Sequence, residues 1–547
     1  MESFLAMDAL LPVKREVGEG GETIYTWQGS VKYSLLALAR GAFASQILSG
    51  EALFDCIRDL QLRSGLPHSR LARHASHGLA LFCDDLMSPA DAQVFFRSTL
   101  PQIARLALNL PALLQSQSQQ IGDLGAEKDR PEMALRLLRK QHAGMVLLRQ
   151  ELVASLLACS FLCLFPSENR REEDLGIINF DTLFAGVYER GERNENKLRC
   201  ILHYFDRVCN TMPQGSVSFE RKVLPKKKDQ EKEVHDGAFW RSSQAPLCPI
   251  TLLEKGFIED DGRDCLQVDF ANRLLGGGAL AVGCVQEEIR FMINPELIAG
   301  MLFIPAMADN ESIEVVGAER YSSYEGYGPT FRFKGDFSDS TPRDTWGRRQ
   351  THIIAIDALP KPGEKQFQSP LMLRELVKAY CGFLDPCSTE GEPGATDNGG
   401  DAMDIADESP CCVENKELCD GVVLGITSNG NGTGATTDIK TTVGIATGNW
   451  GCGVFGGNLE LKSLLQWLAA SQAGRPYMLY FSFQDPRAKR LQEVADWILQ
   501  EQWCVGELWS ILLEYGEQGQ FHVNLFDWIM PHPGTKLHYS QHYHKAR

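Results

Sequence analysis

The chain has 547 residues, 44% of them hydrophobic, with a formal net charge of −17 and a pI near 5.3. This length and composition bury a sizeable core and favour roughly two to four domains. The acidic balance excludes a protein that coats nucleic acid through a broad basic face, and the longest apolar run, residues 152–165, is shorter than the roughly 20 residues that a membrane-spanning helix needs.

The N-terminal region is predicted to be helical. Acids at Glu2 and Asp8 stand where a secretory signal would carry positive charge, so secretion is not expected. From Ser30 to about Asn210, Leu and Ala recur at three- and four-residue spacings, which predicts packed helices in VKYSLLALARGAF, EALFDCIRDLQLR and MALRLLRKQHAGMVLLRQELVASLLACSFLCLF. The charged stretch at residues 192–197 is interpreted as a solvated helix start without a function.

A polar, Lys-rich stretch beginning near Arg221, RKVLPKKKDQEKEVHDG, is predicted to be a linker or an exposed loop. A nuclear import signal at residues 226–228 is an open alternative, although short basic runs are common on protein surfaces. We place the domain boundary here, between a helical domain at residues 1–225 and a second domain at residues 226–547.

The second domain alternates strands with helices. Short segments rich in β-branched and aromatic residues predict buried strands in CLQVDFAN, SIEVVGAE, HIIAIDAL, TTVGIAT and YMLYFSF. Helical tracts lie between and after them, in QEEIRFMINPELIAGMLF, PLMLRELVKAYCGFL, LELKSLLQWLAASQ and RLQEVADWILQEQWCVGELWSILLEYG. This alternation predicts an α/β fold whose sheet is covered on both faces.

An acidic insertion interrupts the second domain. Residues 385–420 contain eleven acids and one lysine and few large apolar side chains, so residues 386–420 are predicted to be disordered. Cys411, Cys412 and Cys419 lack a fourth well-placed ligand, which favours a flexible loop over a metal site. The sixteen cysteines of the whole chain form no pair of CxxC units, and we expect reduced thiols in a nuclear or cytosolic protein without a bound metal.

The most informative stretch is DFANRLLGGGALAVGCVQEE at residues 269–288. It places a strand end and a triple glycine before acids that begin a helix. A glycine run lets the backbone approach a ligand, although alone it is more often a flexible turn, and acids in a first helical turn are also stabilised by the helix dipole. A flexible turn would explain only the glycines, and the helix dipole would explain only the acids. Neither explains why the glycines and the acids together follow the end of a strand, which is where ligands of open α/β sheets bind.

These residues resemble the signature of the poly(ADP-ribose) glycohydrolase family, which is GGG, six to eight residues, and then QEE. Further resemblance lies in GFIED, VDFANR, AERYSSYEGY, IAIDAL and ATGNWGCGVFGG. It implies a three-layer α/β/α macrodomain with a mixed sheet, preceded by a helical accessory domain, as in the longer plant-type members. Asn458 departs from the family, because many relatives carry an acid there.

The resemblance also implies residue roles. Glu288 matches the catalytic acid/base, and Glu287 and Asp269 match acids that hold or orient the substrate ribose. The positions that the resemblance assigns to substrate binding are Ile258 and Glu259 for adenine, Asn272, Gly276, Gly277, Gly278 and Gln286 around the ribose, Tyr327 over the terminal ADP-ribose, Asn449, Trp450, Gly451, Cys452, Gly453 and Val454 for the diphosphate, and Phe455 for the scissile ribose.

Cleavage of a glycosidic bond needs a proton for the leaving oxygen and an activated water. Neighbouring Glu287 and Glu288 point about 100° apart on a helix, so they cannot easily take opposite faces of one sugar. We therefore expect Glu288 to perform both proton transfers while Glu287 grips a ribose hydroxyl. The resemblance implies retention of configuration, with no metal and no cofactor.

The expected activity is hydrolysis of poly(ADP-ribose), with the polymer and poly(ADP-ribosyl)ated proteins as partners. No membrane and no direct nucleic-acid binding are expected. Two alternatives remain open: a macrodomain that binds ADP-ribose chains without cutting them, and an enzyme that removes single ADP-ribose units from proteins. The intact Gln-Glu-Glu cluster argues against the first, because a pure reader has no use for a second carboxylate near the ribose.

Overall fold

A computed structural model describes residues 6–18, 23–65, 71–123, 134–225, 234–385, 443–519, 521 and 523–530 of the chain. Its strands in chain order are β1 (Lys14–Val17), β2 (Thr23–Thr26), β3 (Gly144–Arg149), β4 (Ser216–Val223), β5 (Ile250–Leu253), β6 (Leu266–Ala271), β7 (Glu311–Val316), β8 (Ser322–Glu325), β9 (Arg332–Asp336), β10 (His352–Asp357), β11 (Ile445–Gly448) and β12 (Met478–Phe481).

The α-helices before the sheet's parallel strands begin are α1 (Gly29–Ala39), α2 (Ala42–Ser45), α3 (Gly50–Arg63), α4 (Ala75–Ala80), α5 (Pro89–Val94), α6 (Leu100–Asp123), α7 (Gln150–Phe161), α8 (Asp181–Arg190), α9 (Glu192–Asn210) and α10 (Gly237–Arg241). Those that follow are α11 (Ile258–Asp261), α12 (Gln286–Ile293), α13 (Gly300–Phe303), α14 (Ser369–Phe383), α15 (Leu459–Gln472), α16 (Leu491–Gln500), α17 (Val505–Gln518) and α18 (Leu525–Ile529).

Eight strands form one mixed sheet in the order β3-β4-β7-β10-β6-β11-β12-β5. The first four pair antiparallel, whereas β10, β6, β11, β12 and β5 run parallel to one another. The parallel strands therefore bring their carboxyl ends to a single edge of the sheet.

Both faces of the sheet are covered, as the alternating side chains of β10 show. Ile353 and Ala355 belong to one buried cluster, which includes residues of α7 and α9, while Ile354 and Ile356 belong to a second, which includes residues of α14 and α15. This arrangement confirms the predicted three-layer α/β/α fold with a mixed sheet. No helix in the described part of the chain is long and apolar enough to cross a membrane.

One predicted helical tract contains a strand. GMVLLR, which lies inside the tract predicted to be helical at residues 133–165, forms β3 and pairs antiparallel with β4. The helix expected here begins only at Gln150 and is buried over nearly its whole length. Pairing with a strand about 70 residues later in the chain overrides the local helical spacing.

The stretch predicted to be a loop from Arg221 onward begins inside β4. Arg221 is completely buried and forms an ion pair with Glu311 of β7, so a strand continues to Val223. β3 and β4 both lie before the predicted domain boundary at residue 225, and that boundary stays a prediction. The suggested import signal at residues 226–228 and the acidic insertion at residues 386–420 lie outside the described residues.

Residues 192–197 start a helix, as predicted, but the interpretation that this start is solvated is wrong. They are the first six residues of α9, and among them Asn194 and Lys197 are 0% exposed. Their side chains find hydrogen-bond partners in another part of the chain, which a local charge pattern cannot reveal.

Candidate active site

A cavity of about 320 Å³ opens at the carboxyl edge of the parallel strands. Segments that follow β5, β6, β10, β11 and β12 line it, together with the start of α12 and the β8–β9 hairpin. Ligands of open α/β sheets bind at this edge. The fold therefore has a cavity at the strand ends, where the sequence analysis expects the ligand.

The glycine loop between β6 and α12 is wrapped around two carboxylates. Glu288 accepts hydrogen bonds from the backbone N–H groups of Gly278 at 2.9 Å and Val285 at 2.8 Å. Glu287 accepts from Asn272 at 2.8 Å and Gly276 at 2.7 Å. Both acids also lie in the first turn of α12, where the helix dipole favours negative charge, so helix capping and loop positioning use the same atoms.

Glycine is required in this loop because the carboxylates occupy the space of a side chain. A Cβ at Gly277 would lie 2.6 Å from Glu287 Oε2 and 2.9 Å from Glu288 Oε1, and the residue has a positive φ of 48°. A Cβ at Gly283, outside the family signature, would lie 2.5 Å from Glu288 Oε1. These contacts give the triple glycine a packing reason that a flexible turn would not have.

A third carboxyl group, that of Asp269 on β6, lies close to this pair. It is 2% exposed, and its Oδ1 has no hydrogen-bond partner among the described residues. Burial, opposed by Arg290 and assisted by Glu288, raises the pKa of Asp269 to about 8. Burial, with help from Asp269 and Glu288, also holds the pKa of Glu287 well above its usual value.

Gln286 connects the carboxylates to the cavity. Its side chain accepts from Phe270 N at 2.8 Å and donates to Val268 O at 3.0 Å, which ties the start of α12 to β6. Its backbone N–H donates to the Tyr327 hydroxyl at 3.2 Å. Tyr327, which lines the cavity, is thus held next to the start of α12.

Four aromatic rings line one wall of the cavity, and the sequence identified only one of them. The rings of Tyr327 and Phe483 lie 5.3 Å apart, and Phe257 contacts both Phe483 at 5.9 Å and Tyr324 at 5.7 Å. The Tyr324 hydroxyl donates to Glu259. Such rings offer flat surfaces for a base, and their positions within GFIED, SSYEGY and YFSF were available as a signal.

The loop after β11, residues 449–455, forms another wall of the cavity. The backbone N–H groups of Gly453, Val454 and Phe455 have no hydrogen-bond partner among the described residues, and consecutive free N–H groups favour anions. Trp450, by contrast, is completely buried and donates to Ile356 O. Its side chain supports the loop from behind.

Arg487 supplies positive charge to this wall, and the sequence analysis missed it. Asp485 holds the guanidinium through Nε and Nη2 while Nη2 also reaches the carbonyl of Cys452, at 3.4 Å. It is the only cationic residue in the cavity lining within the described part of the chain. A single arginine after a strand is not part of a recognisable sequence motif, so the sequence alone does not identify Arg487 as a site residue.

The predicted residues fall into two adjoining groups. Those lining the cavity are Ile258, Glu259, Gln286, Tyr327, Asn449, Trp450, Gly451, Cys452, Gly453, Val454 and Phe455. Those forming the carboxylate cluster beside it are Asp269, Asn272, Gly276, Gly277, Gly278, Glu287 and Glu288. Val285 and Gln286 join the two groups.

Asn458, the departure from the family pattern, caps α15. Its side chain accepts from Leu461 N at 2.9 Å, a role that Asn and Asp fill about equally well.

Among the described residues, no three His, Cys, Asp or Glu side chains are grouped as metal ligands. Cys411, Cys412 and Cys419 lie outside those residues.

Comparison with known proteins finds two matching family models. "Poly (ADP-ribose) glycohydrolase (PARG), Macro domain fold" matches residues 238–490, and the helical domain of the same family matches residues 87–221. "Poly(ADP-ribose) glycohydrolase 1" of Arabidopsis thaliana is 42% identical over 93% of this chain and 94% of its own length. "Probable poly(ADP-ribose) glycohydrolase 2" of the same plant is 40% identical over 92% and 94%, and "Poly(ADP-ribose) glycohydrolase 2" of Caenorhabditis elegans is 30% identical over 59% of each chain.

Proposed function

Because the chain belongs to the poly(ADP-ribose) glycohydrolase family, we propose that it hydrolyses the ribose–ribose O-glycosidic bonds of poly(ADP-ribose) with Glu288 as general acid and then general base. It is a glycoside hydrolase, and its reaction releases ADP-ribose. The position of Glu288 carries this proposal. Its carboxylate is held by two backbone N–H groups beside the cavity, at the carboxyl end of β6.

The reaction needs one group that gives a proton to the leaving oxygen and then takes one from water. Both glutamates have each carboxylate oxygen bonded to a backbone N–H group, so these bonds do not separate their roles. The proton transfers are assigned to Glu288 because it matches the acid/base position of the family signature, and Glu287 braces the loop. Asp269, buried and with a free Oδ1, holds a ribose hydroxyl. Burial favours the protonated form of Asp269, which limits the repulsion among three neighbouring carboxyl groups.

The cavity walls hold the rest of ADP-ribose. The free N–H groups of residues 453–455 bind the diphosphate, since backbone donors suit phosphate oxygens, and Arg487 adds charge at the same wall. Adenine lies between the ring of Tyr327 and the segment that carries Ile258 and Glu259. A polyanion is thus bound locally, which fits a chain of net charge −17.

The finer features of this assignment are also proposals. Poly(ADP-ribosyl)ated proteins are the partners, without direct nucleic-acid or membrane binding, in the nucleus, the cytoplasm or both. Residues 1–225 act as the accessory domain, although β3 and β4 join the sheet.

Glu288→Gln tests the proposal. Labelled poly(ADP-ribose) is incubated with each protein without added metal, and released ADP-ribose is separated by chromatography. General acid–base catalysis contributes about 10²- to 10⁴-fold, so release should fall by about that factor while polymer binding, measured by fluorescence anisotropy, persists. Glu325→Gln, an exposed change on β8, is the control and should keep full activity.

In Glu288→Gln the side-chain NH2 group faces one of the two backbone N–H groups that donate to Glu288, and two donors repel each other. Glu288→Ala, which lacks this repulsion, is therefore assayed as a second variant. Comparable turnover by both Glu288 variants and the unsubstituted chain would remove Glu288 from the mechanism. Polymer binding without cleavage by the unsubstituted chain would indicate a reader instead. A requirement for a divalent cation would favour a metal-dependent ADP-ribosyl hydrolase.

A further inference from the structure

Two side chains near the start of α9 reach from the helical region to the glycine loop. Lys197 Nζ donates to the carbonyls of Gly278 at 3.2 Å, Ala281 at 2.8 Å and Gly283 at 2.7 Å. Asn194 Nδ2 donates to the same Ala281 carbonyl at 2.9 Å. Two buried side chains therefore fix three peptide units of one short segment.

The same segment holds Glu288 from its other side. The N–H groups of Gly278 and Val285 bind the Glu288 carboxylate, while the carbonyls between them bind α9. The clamped carbonyls of Gly278 and Gly283 belong to peptide units next to those that carry the two donors, so a change in their tilt would be passed to the donors. Lys197 thus acts on Glu288 through the loop rather than by touching substrate.

We propose that Lys197 and Asn194 are positioning residues for catalysis, which set the geometry of Glu288 by clamping the carbonyl side of the glycine loop. This inference rests on the proposed role of Glu288. It makes the helical region part of the catalytic machinery rather than a separate accessory.

The burial of Lys197 needs such an explanation. An ammonium group withdrawn from water costs several kcal/mol unless its hydrogen bonds are replaced, and the partners of Lys197 are three carbonyl oxygens of this loop. Burial lowers the pKa of Lys197 to about 8, with Cys284 and Glu288 opposing the shift. At neutral pH the side chain therefore keeps three N–H donors for three acceptors.

The neighbouring helix is shaped to admit the clamp. A Cβ at Gly186 of α8 would lie 2.0 Å from Asn194 Nδ2, so only glycine leaves room for that amide. Asn196, in the same turn of α9, instead accepts from Phe333 N of the β8–β9 hairpin at 3.0 Å. One helical turn thus contacts the loop that carries the acid and the hairpin that carries Tyr327.

The experiment compares Lys197→Met, Asn194→Ala and Arg199→Met in the full chain. Methionine keeps the length and apolar stem of lysine but donates no hydrogen bond. Arg199 is the matched control, because it lies in the same helix and donates to a carbonyl, that of Leu86, and to Glu195 without touching the loop. For each protein, kcat and KM for ADP-ribose release, the Kd of ADP-ribose and the melting temperature are measured.

Lys197→Met should lower kcat about 10- to 100-fold, because small misplacements of a catalytic group have effects of this size. Asn194→Ala, which removes one hydrogen bond, should lower kcat about 3- to 10-fold, and it carries the test should Lys197→Met fail to fold. KM and the Kd of ADP-ribose should change less than about 3-fold, since the aromatic wall and the diphosphate loop are untouched. Arg199→Met should keep kcat even where its melting temperature falls.

Equal kcat values in Asn194→Ala, Lys197→Met and Arg199→Met would overturn the inference. So would losses of activity that merely follow the melting temperature in all three variants. Glu288→Gln is assayed alongside as the reference for lost acid/base function. If the unsubstituted chain released no ADP-ribose, both the proposed function and this inference would be refuted. If the unsubstituted chain were active and Lys197→Met and Asn194→Ala had the same kcat as that chain, only the inference would be refuted.

Discussion

Gly283→Ala should separate catalysis from folding. Gly283 lies outside the triple glycine, and its φ is not in the left-handed region, so alanine is not excluded by the backbone. Its Cβ would lie 2.5 Å from Glu288 Oε1, 2.7 Å from Glu288 Cδ and 2.9 Å from Gly278 Cα. The Glu288 carboxyl must move furthest, and the backbone at Gly278, whose N–H binds that carboxyl, must also shift.

The size of the effect follows from that contact. Ordinary van der Waals separation begins at 3.4 Å, so the Glu288 carboxyl must shift by about 0.9 Å if it alone moves. A misplacement of about 1 Å can cost about 10²-fold in rate, which corresponds to roughly 2.7 kcal/mol of transition-state stabilisation. Overpacking costs about 1–3 kcal/mol of stability, so the protein should remain folded.

The assay measures kcat and KM for ADP-ribose release, with the melting temperature as the check on folding. KM should change less than about 3-fold, because the diphosphate loop and the aromatic wall are not altered. Gly237→Ala is the control, since a Cβ there meets nothing within 4 Å, and alanine suits a helix start at least as well as glycine.

A double variant gives the decisive result. Gly283→Ala and Glu288→Gln both act through one carboxylate, so together they should be about as slow as Glu288→Gln alone. Independent, multiplying effects would show that Gly283 matters for another reason. A kcat for Gly283→Ala within about two-fold of the unsubstituted chain would refute the claim that this contact places the acid/base group.

Two further predictions concern charge in and beside the cavity. Arg487→Gln should raise KM about 5- to 10-fold with little change in kcat, because a charge-assisted contact to phosphate is lost. The control is Arg490→Gln, which should leave KM unchanged because the ion pairs of Arg490 with Glu493 and Asp527 lie outside the cavity. Equal effects of the two substitutions on KM would contradict the assignment of Arg487 to the diphosphate. The pKa of Asp269 is raised to about 8 in the folded chain, so protonation of Asp269 adds to the free energy of unfolding. This contribution is complete below about pH 4, and it falls by about 1.4 kcal/mol per pH unit as the pH rises toward 8. Urea unfolding between pH 5 and 8 should therefore show a shallower loss of stability for Asp269→Asn than for the unsubstituted chain, and parallel curves would contradict the shift.

The grouping of the carboxyl groups with the glycine loop could be predicted because it is local in sequence. Asp269, the triple glycine and Glu288 lie within twenty consecutive positions, and the strand, loop and helix that arrange them follow one another directly. The carboxylates bind N–H groups no more than fifteen residues away. A motif of this kind keeps its meaning without knowledge of the rest of the fold.

What the sequence missed depends on contacts between distant residues. Lys197 reaches Ala281 across 84 positions, so its charge was interpreted as belonging to a solvated surface. β3 pairs with a strand about 70 residues later, and its apolar run fits a helix equally well when that partner is unknown. Arg487 becomes part of the site only because β12 lies next to β11 in the sheet.

The order of the strands gives a physical reason why the proposed subsites fit one ligand. Along the sheet edge the order is β6, β11 and β12, which places the carboxylate cluster, the diphosphate loop and Arg487 in sequence. The segment with Ile258 and Glu259 follows β5 but returns over β6, where Gly262 O accepts from Gln267. Neighbouring strands lie about 4.8 Å apart, so two steps span roughly 10 Å. The ribose and the diphosphate, which are consecutive in ADP-ribose, can therefore be bound by adjacent strands. Parallel pairing thereby keeps the phosphates one strand away from the buried acids, where a polyanion would otherwise meet three carboxyl groups at once.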